Sequence, residues 1–378
     1  MNDRELHAHL IGQQGGRRSL NTPVLVIDVD ALDRNIRTMA EFAAKHGLAL
    51  RPHAKTHKSV EIALKQIAAG AVGSCCAKLG EAEELAAGGV GSILITSPVV
   101  SVPAIARLMT LNARIKDLRV AVDNPDNVEA LGAAAAKVGK TLQVLVDIDP
   151  GIRRTGVSSP EAAVVVAQKI AGAASLRCLG VQCYCGREQH IEAYDKRREA
   201  MVDRTDYLKS VIDALAKAGF ALGVISGGGT GTHRIDADLG VFTELQVGSY
   251  VFMDRQYNDC DLTGGGASPY ETSLLIDARV VSANTVGMAT VDAGFKAMAT
   301  DGGPPTVLVG APVGTPYHFM GDEHGLIVSE GKKFAIGDAV TLASPHCDPT
   351  VNLYDYFHVV RGDTLVDIWN VQGRGKSR

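Results

Sequence analysis

The feature that most constrains the fold is an alternation running from Thr22 to about Asp261, in which short β-rich runs trade places with alanine-rich amphipathic stretches. PVLVIDV, LALRPHA, GSCC, SILIT, LRVAVD, LQVLVDID, CLGVQCY, ALGVIS and ELQVGSY read as strands. ALDRNIRTMAEFAAKH and SPEAAVVVAQKIAGAA read as helices between them, the second opening with Ser159 as cap and Pro160 in its first turn. Alternation of this kind predicts βαβ units and a parallel sheet. With the first run set aside as a lead-in strand, about eight repeats remain over roughly 220 residues, the size of a (β/α)8 barrel. A doubly wound sheet is the other arrangement the pattern allows.

Past Asp261 the texture changes. DLTGGGASP reads as a linker, and closely spaced strands with Gly, Pro and Asp turns follow it without a helical period. The expectation is a barrel over 23–260 and a small all-β domain over 261–378, with residues 1–22 packed on the latter.

Net charge is -4 over 378 residues, so nothing general draws the chain to nucleic acid or anionic membrane. The N-terminus lacks a signal-peptide apolar core, and no run approaches the ~18 apolar residues of a membrane span. Seven cysteines without CxxC spacing read as reduced thiols, with Cys75 and Cys76 as packing, and a cytoplasmic location is expected.

Against that mild acidity, LALRPHAKTHKS crowds Arg51, His53, Lys55, His57 and Lys58 into eight residues. Like charges repel, so the cluster predicts an anion site or a lysine kept neutral for chemistry. Burial near other cations lowers a lysine's pKa and frees its amine to form a Schiff base.

Barrel chemistry gathers at the C-terminal strand ends. There the sequence places Lys55, Lys78, Asp123, Arg154, Tyr184, Gly228 with Thr230, and Gly248 with Ser249. SGGGTGT (226–232) supplies bare N–H groups and hydroxyls, the equipment of a phosphate cradle, although a glycine run also serves a tight turn. VGSY (247–250) ends the next strand, and the loops after strands 7 and 8 of such barrels frequently hold a phosphate. His190, a few residues beyond Tyr184, reads either as a base or as a surface histidine.

In SPHCDPT (344–350), His346 and Asp348 are spaced i, i+2, so on an extended segment both would share a face, with Cys347 pointing away. An imidazole with a carboxylate suits Mn²⁺, Co²⁺ or Zn²⁺, whereas a bare turn needs no metal. GDEHG (321–325) and VDAG (291–294) add polar groups to the β domain.

Taken together, RPHAKTHKS, GGGTG, ELQVGSY, DEHG and HCDPT resemble the D-threonine aldolase/D-serine dehydratase-like family, pyridoxal-phosphate enzymes of the alanine racemase class, fold type III. The likeness spans about Thr22 to Gly375 and is greater to the D-threonine and 3-hydroxy-D-aspartate aldolases than to the dehydratase. It implies that Lys55 forms the Schiff base and that Thr230, Gly248 and Ser249 hold the phosphate. It puts Arg154 near the cofactor's phenolic oxygen, Tyr184 against the cofactor, and His190 near the substrate hydroxyl. It makes His346 and Asp348 metal ligands, with Mn²⁺ first and Co²⁺, Mg²⁺ or Zn²⁺ as other choices. The family's dehydratases have a cysteine two residues after the histidine, so Asp348 favours the aldolase branch and a harder metal.

Two positions depart from the pattern. Ala77 stands where several aldolases have a glutamine, and Gln246 stands where alanine racemase turns an arginine to the pyridine nitrogen. The implied reaction cleaves D-β-hydroxy-α-amino acids, D-threonine giving glycine and acetaldehyde. A 3-hydroxy-D-aspartate aldolase, or a dehydratase acting on D-serine or 3-hydroxyaspartate, is the nearest alternative, and a non-catalytic pyridoxal-phosphate carrier is one of a different class. A racemase would leave the metal pair without a role. A homodimer is expected by resemblance only.

Overall fold

In the computed structural model, which describes residues 2–312 and 314–378, the alternation becomes a closed barrel. Helix α1 (Asp3–His7), strand β1 (Val24–Asp28) and helix α2 (Val29–Lys45) come first. The barrel strands are β2 (Ala49–Leu50), β3 (Ser74–Cys76), β4 (Ser92–Ile95), β5 (Asp117–Val122), β6 (Leu142–Ile148), β7 (Leu176–Cys183), β8 (Val224–Gly227) and β9 (Glu244–Leu245). Between them run α3 (Val60–Ala68), α4 (Leu79–Ala87), α5 (Val102–Arg114), α6 (Pro125–Val138), α7 (Pro160–Ala171), α8 (Tyr194–Lys217) and α9 (His233–Leu239). Helix α7 starts where expected, the Ser159 hydroxyl accepting the Ala162 N–H at 3.1 Å, a cap worth about 1 kcal/mol.

All eight strands are parallel, in the order β2-β9-β8-β7-β6-β5-β4-β3. Cys75 N–H donates to Pro52 O and Ala54 N–H to Cys75 O, both at 2.8 Å, which joins β2 to β3 and closes the ring. The outward faces of the strands carry Ile93, Ile95, Val120, Val144, Val146 and Val181 against the helices, the apolar run expected of a sheet buried on both sides.

The inside of the barrel is largely polar. Arg51, 1 % exposed, pairs with Glu244 at 2.9 Å and donates to Ser92 Oγ at 2.8 Å. Ser92 donates to Asp117, which also holds Arg119. Above Glu244, Ser226 Oγ donates to its carboxylate at 2.7 Å and accepts from Gln246 Nε2 at 2.9 Å. A ladder of hydrogen bonds therefore climbs from the strand starts to the C-terminal rim.

After α10 (Arg255–Asn258) the chain builds the second sheet from β10 (Leu274–Ser282), β11 (Met288–Val291), β12 (Thr306–Val309), β13 (Tyr317–Phe319), β14 (Gly325–Val328), β15 (Ala339–Ala343), β16 (Tyr356–Arg361) and β17 (Thr364–Asn370). A short helix, α11 (Cys347–Val351), interrupts it. The run read as a lead-in to the barrel lies in this sheet instead: β1 pairs antiparallel with β10 and parallel with β16. Leu25, Ile27, Ile276 and Phe357 share one core with Leu32 of α2 and Phe252 below the barrel rim. The N-terminal segment is tied to the same sheet by Arg17, bidentate to Asp277 at 2.7 and 2.8 Å. His7 also meets His358, with Nδ1 2.8 Å from Nε2. Among the described residues, no helix is long and apolar enough to cross a membrane.

Candidate active site

A cavity of about 320 Å³ opens at the C-terminal rim of the barrel, and α11 with the residue before it closes one side. Lys55, Arg154, Tyr184, His190, Thr230, Gln246, Gly248, Ser249, His346 and Asp348 all line it, so ten of the residues singled out from the sequence reach one space.

Lys55 follows the closing bridge of β2, and its Nζ lies 2.5 Å from Asp348 Oδ2. This reverses the expectation that cations hold the amine neutral. The Asp348 carboxylate outweighs desolvation and raises the Lys55 pKa above its ordinary value. Burial opposes charge on Asp348 too, but Lys55 wins and holds that carboxyl well below the usual range.

The rest of the basic cluster disperses to separate tasks. Arg51 turns down into the barrel ladder, and Lys58 pairs with Glu81 at 2.5 Å. Burial drives His53 well below the imidazole range and His57 down to about 4, so neither adds charge at neutral pH. The cluster looked like an anion site because sequence shows adjacency and hides direction.

The anion end of the cavity is built by Thr230, Gly248 and Ser249. Gly228 takes φ 71°, which an L side chain resists, and it turns the chain over the rim. The inner part of SGGGTGT is braced: Gly231 N–H donates to Gln189 Oε1 at 3.0 Å and Gly229 N–H to Thr232 Oγ1 at 3.2 Å. Among the described residues, the N–H groups of Thr230, Gly248 and Ser249 have no acceptor in the protein. Thr230 Oγ1 accepts from Tyr250 N–H at 2.9 Å and keeps its own proton for a ligand. At Gly248 a Cβ would come within 2.6 Å of Thr56 Oγ1 and crowd the cradle. These donors fit the phosphate of the pyridoxal phosphate that the resemblance implies.

Gln246 presents a defined face to the cavity. Its Nε2 donates to Ser226 Oγ and to Gln182 Oε1 at 3.2 Å. Gln182 is fixed in turn, since its own Nε2 donates to Thr96 O and Asp147 Oδ1. The amide oxygen of Gln246 is left over, a neutral acceptor. In the same cavity, the Arg154 guanidinium lies 5.7 Å from the centre of the Tyr184 ring.

His190 sits at the end of a single 3-10 turn, 4.5 Å centre to centre from the Tyr257 ring. Burial lowers its pKa to about 4, with His346 adding to the shift. His346 turns Nδ1 to Asp301 Oδ2 at 2.7 Å, which leaves Nε2 as its free nitrogen. The i, i+2 reading of SPHCDPT needs correction. His346 is extended, with φ -147° and ψ 120°, but it caps α11, and Asp348 lies in the first helical turn. The two side chains meet the cavity through a strand-to-helix corner and not along one extended face. Cys347, expected to point away on an extended face, is buried, with its Sγ 3.4 Å from Asp348 Oδ1.

His346 and Asp348 fit an open metal site. An imidazole anchored through its other nitrogen is the usual form of a ligating histidine, and two protein donors leave positions for water and substrate. Among the described residues, no three His, Cys, Asp or Glu side chains form a fuller cluster.

Lys78 and Asp123 do not line the cavity: Lys78 caps α4, and Asp123 accepts the Gly156 N–H at 2.9 Å. Asp322 and Glu323 of GDEHG face Lys296, and Asp292 of VDAG accepts from Arg279 N–H and the Thr22 hydroxyl. The sequence reading gave no individual role to His53, Thr56, Arg187, Tyr257 or Asp301. The first two lay inside the quoted motif, and Arg187 lay between Tyr184 and His190. Asp301 carried no signal, being 45 residues from its partner.

Residues 27–256 match the family model of the alanine racemase N-terminal domain, and residues 273–360 match a domain family named for serine dehydratase. The chain is 38% identical to the 3-hydroxy-D-aspartate aldolase of Paracoccus denitrificans (strain Pd 1222), over 94% of this chain and 93% of the relative. It is 39% identical to a D-threonine aldolase of Arthrobacter, over 95% and 94%. The crystal structure of D-threonine aldolase from Filomicrobium marinum superposes with a TM-score of 0.90 at 36% identity, covering 96% of this chain and 97% of that one.

Proposed function

The chain belongs to the D-threonine aldolase and 3-hydroxy-D-aspartate aldolase family of lyases, and on that premise we propose that it cleaves D-β-hydroxy-α-amino acids between Cα and Cβ. With D-threonine the products are glycine and acetaldehyde. One observation carries this reading: a lysine amine, an anion cradle of bare amides and an imidazole–carboxylate pair converge on a single cavity. A carrier of pyridoxal phosphate would need only the first two.

Thr230, Gly248 and Ser249 would hold the phosphate of pyridoxal phosphate and Lys55 its aldehyde carbon, and the bound cofactor supplies an electron sink for the pair left on Cα. A divalent ion at His346 and Asp348, Mn²⁺ foremost, would lower the pKa of the β-hydroxyl. His190 is the chain's own base: with its pKa lowered to about 4 its imidazole is proton-free at neutral pH, and it lines the same cavity as His346. It takes the hydroxyl proton, the oxygen's electrons close a carbonyl at Cβ, and the Cα–Cβ bond breaks. Arg154 would face the cofactor's phenolic oxygen, and Gln246 would offer the ring nitrogen a neutral acceptor in place of a cation. On the same reading we propose a cytoplasmic homodimer as the working unit.

Product identification tests the reading. Purified protein is incubated with D-threonine, D-threo- and D-erythro-3-hydroxyaspartate, and D-serine. Glycine with an aldehyde supports the aldolase, whereas a 2-oxo acid with ammonia would move the assignment to the dehydratase. A borohydride-reducible absorbance without turnover of any substrate would leave only a carrier.

A further inference from the structure

Two arginines on one wall of the cavity have no carboxylate partner among the described residues. Arg154 touches the Tyr184 ring, and Arg187 makes one long bond, Nη2 to Ile152 O at 3.3 Å. That bond ties the loop after β7 to the loop after β6, so both guanidinium groups stand on the same side of the opening. Arg204, on the helix behind this wall, is already satisfied by Glu188 at 2.8 Å. The acid of the β6 loop is no counter-ion either, because Asp149 spends its oxygens on the N–H groups of Gly151 and Arg153. Within the cavity the one carboxylate, Asp348, is paired with Lys55. The phosphate would have its own neutral cradle in the amides of Thr230, Gly248 and Ser249. Two uncompensated cations therefore face whatever enters, and a guanidinium is built to take a carboxylate with two parallel hydrogen bonds.

We propose that Arg187 reads a second carboxylate, on the β-carbon, so that the preferred substrates are dicarboxylic D-β-hydroxy-α-amino acids of the 3-hydroxyaspartate type. The inference rests on the aldolase reading and names the substrate within it. Arg154, over Tyr184, serves the cofactor and α-carboxylate side; Arg187, three residues from His190 in the chain, serves the β-substituent. In the cleavage of 3-hydroxyaspartate the β-hydroxyl loses its proton and its C–O bond becomes the carbonyl of glyoxylate. The Cα–Cβ pair passes to Cα, which takes up a proton to give glycine.

Holoenzyme kinetics on D-3-hydroxyaspartate and D-threonine test the proposal. The unmodified protein is expected to show the higher kcat/KM on the dicarboxylate. Arg187→Gln should lower that value by about ten- to hundredfold, the worth of a hydrogen bond to a charged partner, while kcat/KM on D-threonine changes by less than about threefold. Arg187→Lys should recover part of the loss, since the charge returns without the fork. Binding provides a second readout: calorimetry with D-aspartate and D-alanine, which carry no β-hydroxyl to cleave, should show the variant losing affinity for D-aspartate alone. An equal fall on both substrates would assign Arg187 to the α-carboxylate, and no fall on either would leave it at the mouth without a ligand; each overturns the proposal. Failure of the unmodified protein to release glycine from either substrate would instead sink the aldolase reading, with the D-aspartate and D-alanine contrast still judging Arg187.

Discussion

Replacing Thr230 with valine removes two interactions that can be measured separately. Thr230 is 1 % exposed, and its Oγ1 accepts the Tyr250 N–H at 2.9 Å. Valine keeps the shape but leaves that buried N–H without a partner, a cost of about 1–3 kcal/mol in stability. The hydroxyl proton is not used inside the protein and is free to bond a phosphate oxygen. A hydrogen bond to a charged group is worth about 1.5–3 kcal/mol, or about ten- to hundredfold in cofactor affinity. Thr230→Ser keeps both interactions and loses only a methyl group. Titration of cofactor-free protein with pyridoxal phosphate, followed by absorbance, reads the affinity, and urea unfolding of the same cofactor-free samples reads the stability. The expected order of affinity is threonine, then serine close behind, then valine far below. Rates at saturating cofactor should differ much less than affinities. A valine variant that lost stability and yet bound pyridoxal phosphate as tightly as the parent would show that SGGGTGT is a turn and not a cradle.

Chelation should abolish cleavage while leaving the cofactor absorbance and the fold in place, Mn²⁺ or Co²⁺ should restore activity, and Asp348→Ala should resist that rescue; metal-free protein that turned over at its original rate would remove the metal from the reaction. Glu244→Gln leaves the buried Arg51 guanidinium with only Asp117, at 4.0 Å, as a carboxylate partner, and a urea series should show a loss of about 3–5 kcal/mol, a loss below about 1 kcal/mol arguing against the barrel ladder. Asn21 N–H donates to His7 Nε2, so His7 Nδ1–H must donate to His358 Nε2, which is required as a bare acceptor. Burial lowers the His358 pKa from 6.5 to about 4, so the unfolded chain takes the proton first and stability falls as pH drops below about 6.5. The loss from this one group is about 2 kcal/mol at pH 5; His358→Gln, which keeps an acceptor but cannot titrate, should flatten the urea midpoint between pH 7 and pH 5, and an unchanged slope would move the effect to another group.

The barrel was legible because each repeat advertises itself locally: a run such as LQVLVDI buries both faces, and Ser159 with Pro160 marks a helix start. The residues at the strand ends were legible for the same reason, since the fold sends them all to one rim. Direction and partner were not. Arg51 and Lys55 are four residues apart, yet one turns inward to Glu244 and the other reaches across to Asp348, 293 residues away. The charge state of Lys55 was misjudged because its counter-ion lies in the other domain. His346 and Asp348 were found by spacing, but the strand-to-helix corner that aims them depends on Asp254, whose carboxylate accepts the Cys347 N–H at 2.8 Å. Arg187 became conspicuous only once the carboxylates around it proved to be engaged elsewhere.

The place of β1 has a consequence for how the molecule is made. In sheet order β1 lies between β10 and β16, so the first strand to leave the ribosome is an inner strand of the sheet completed last. Some 245 residues separate Asp28 from Leu274, and at ordinary translation rates β1 waits about 12–50 s for its antiparallel neighbour. Throughout that interval it is an apolar ribbon with both edges open, the kind of segment that recruits other chains. The barrel can close during the wait, but the half that carries His346 and Asp348 cannot, whatever the speed of its own strands. Nascent chains stalled before Leu274 should therefore need a chaperone to stay soluble. A fragment that begins at Asp261 should aggregate, and a separately supplied peptide covering Val24–Asp28 should rescue it by filling the gap between β10 and β16.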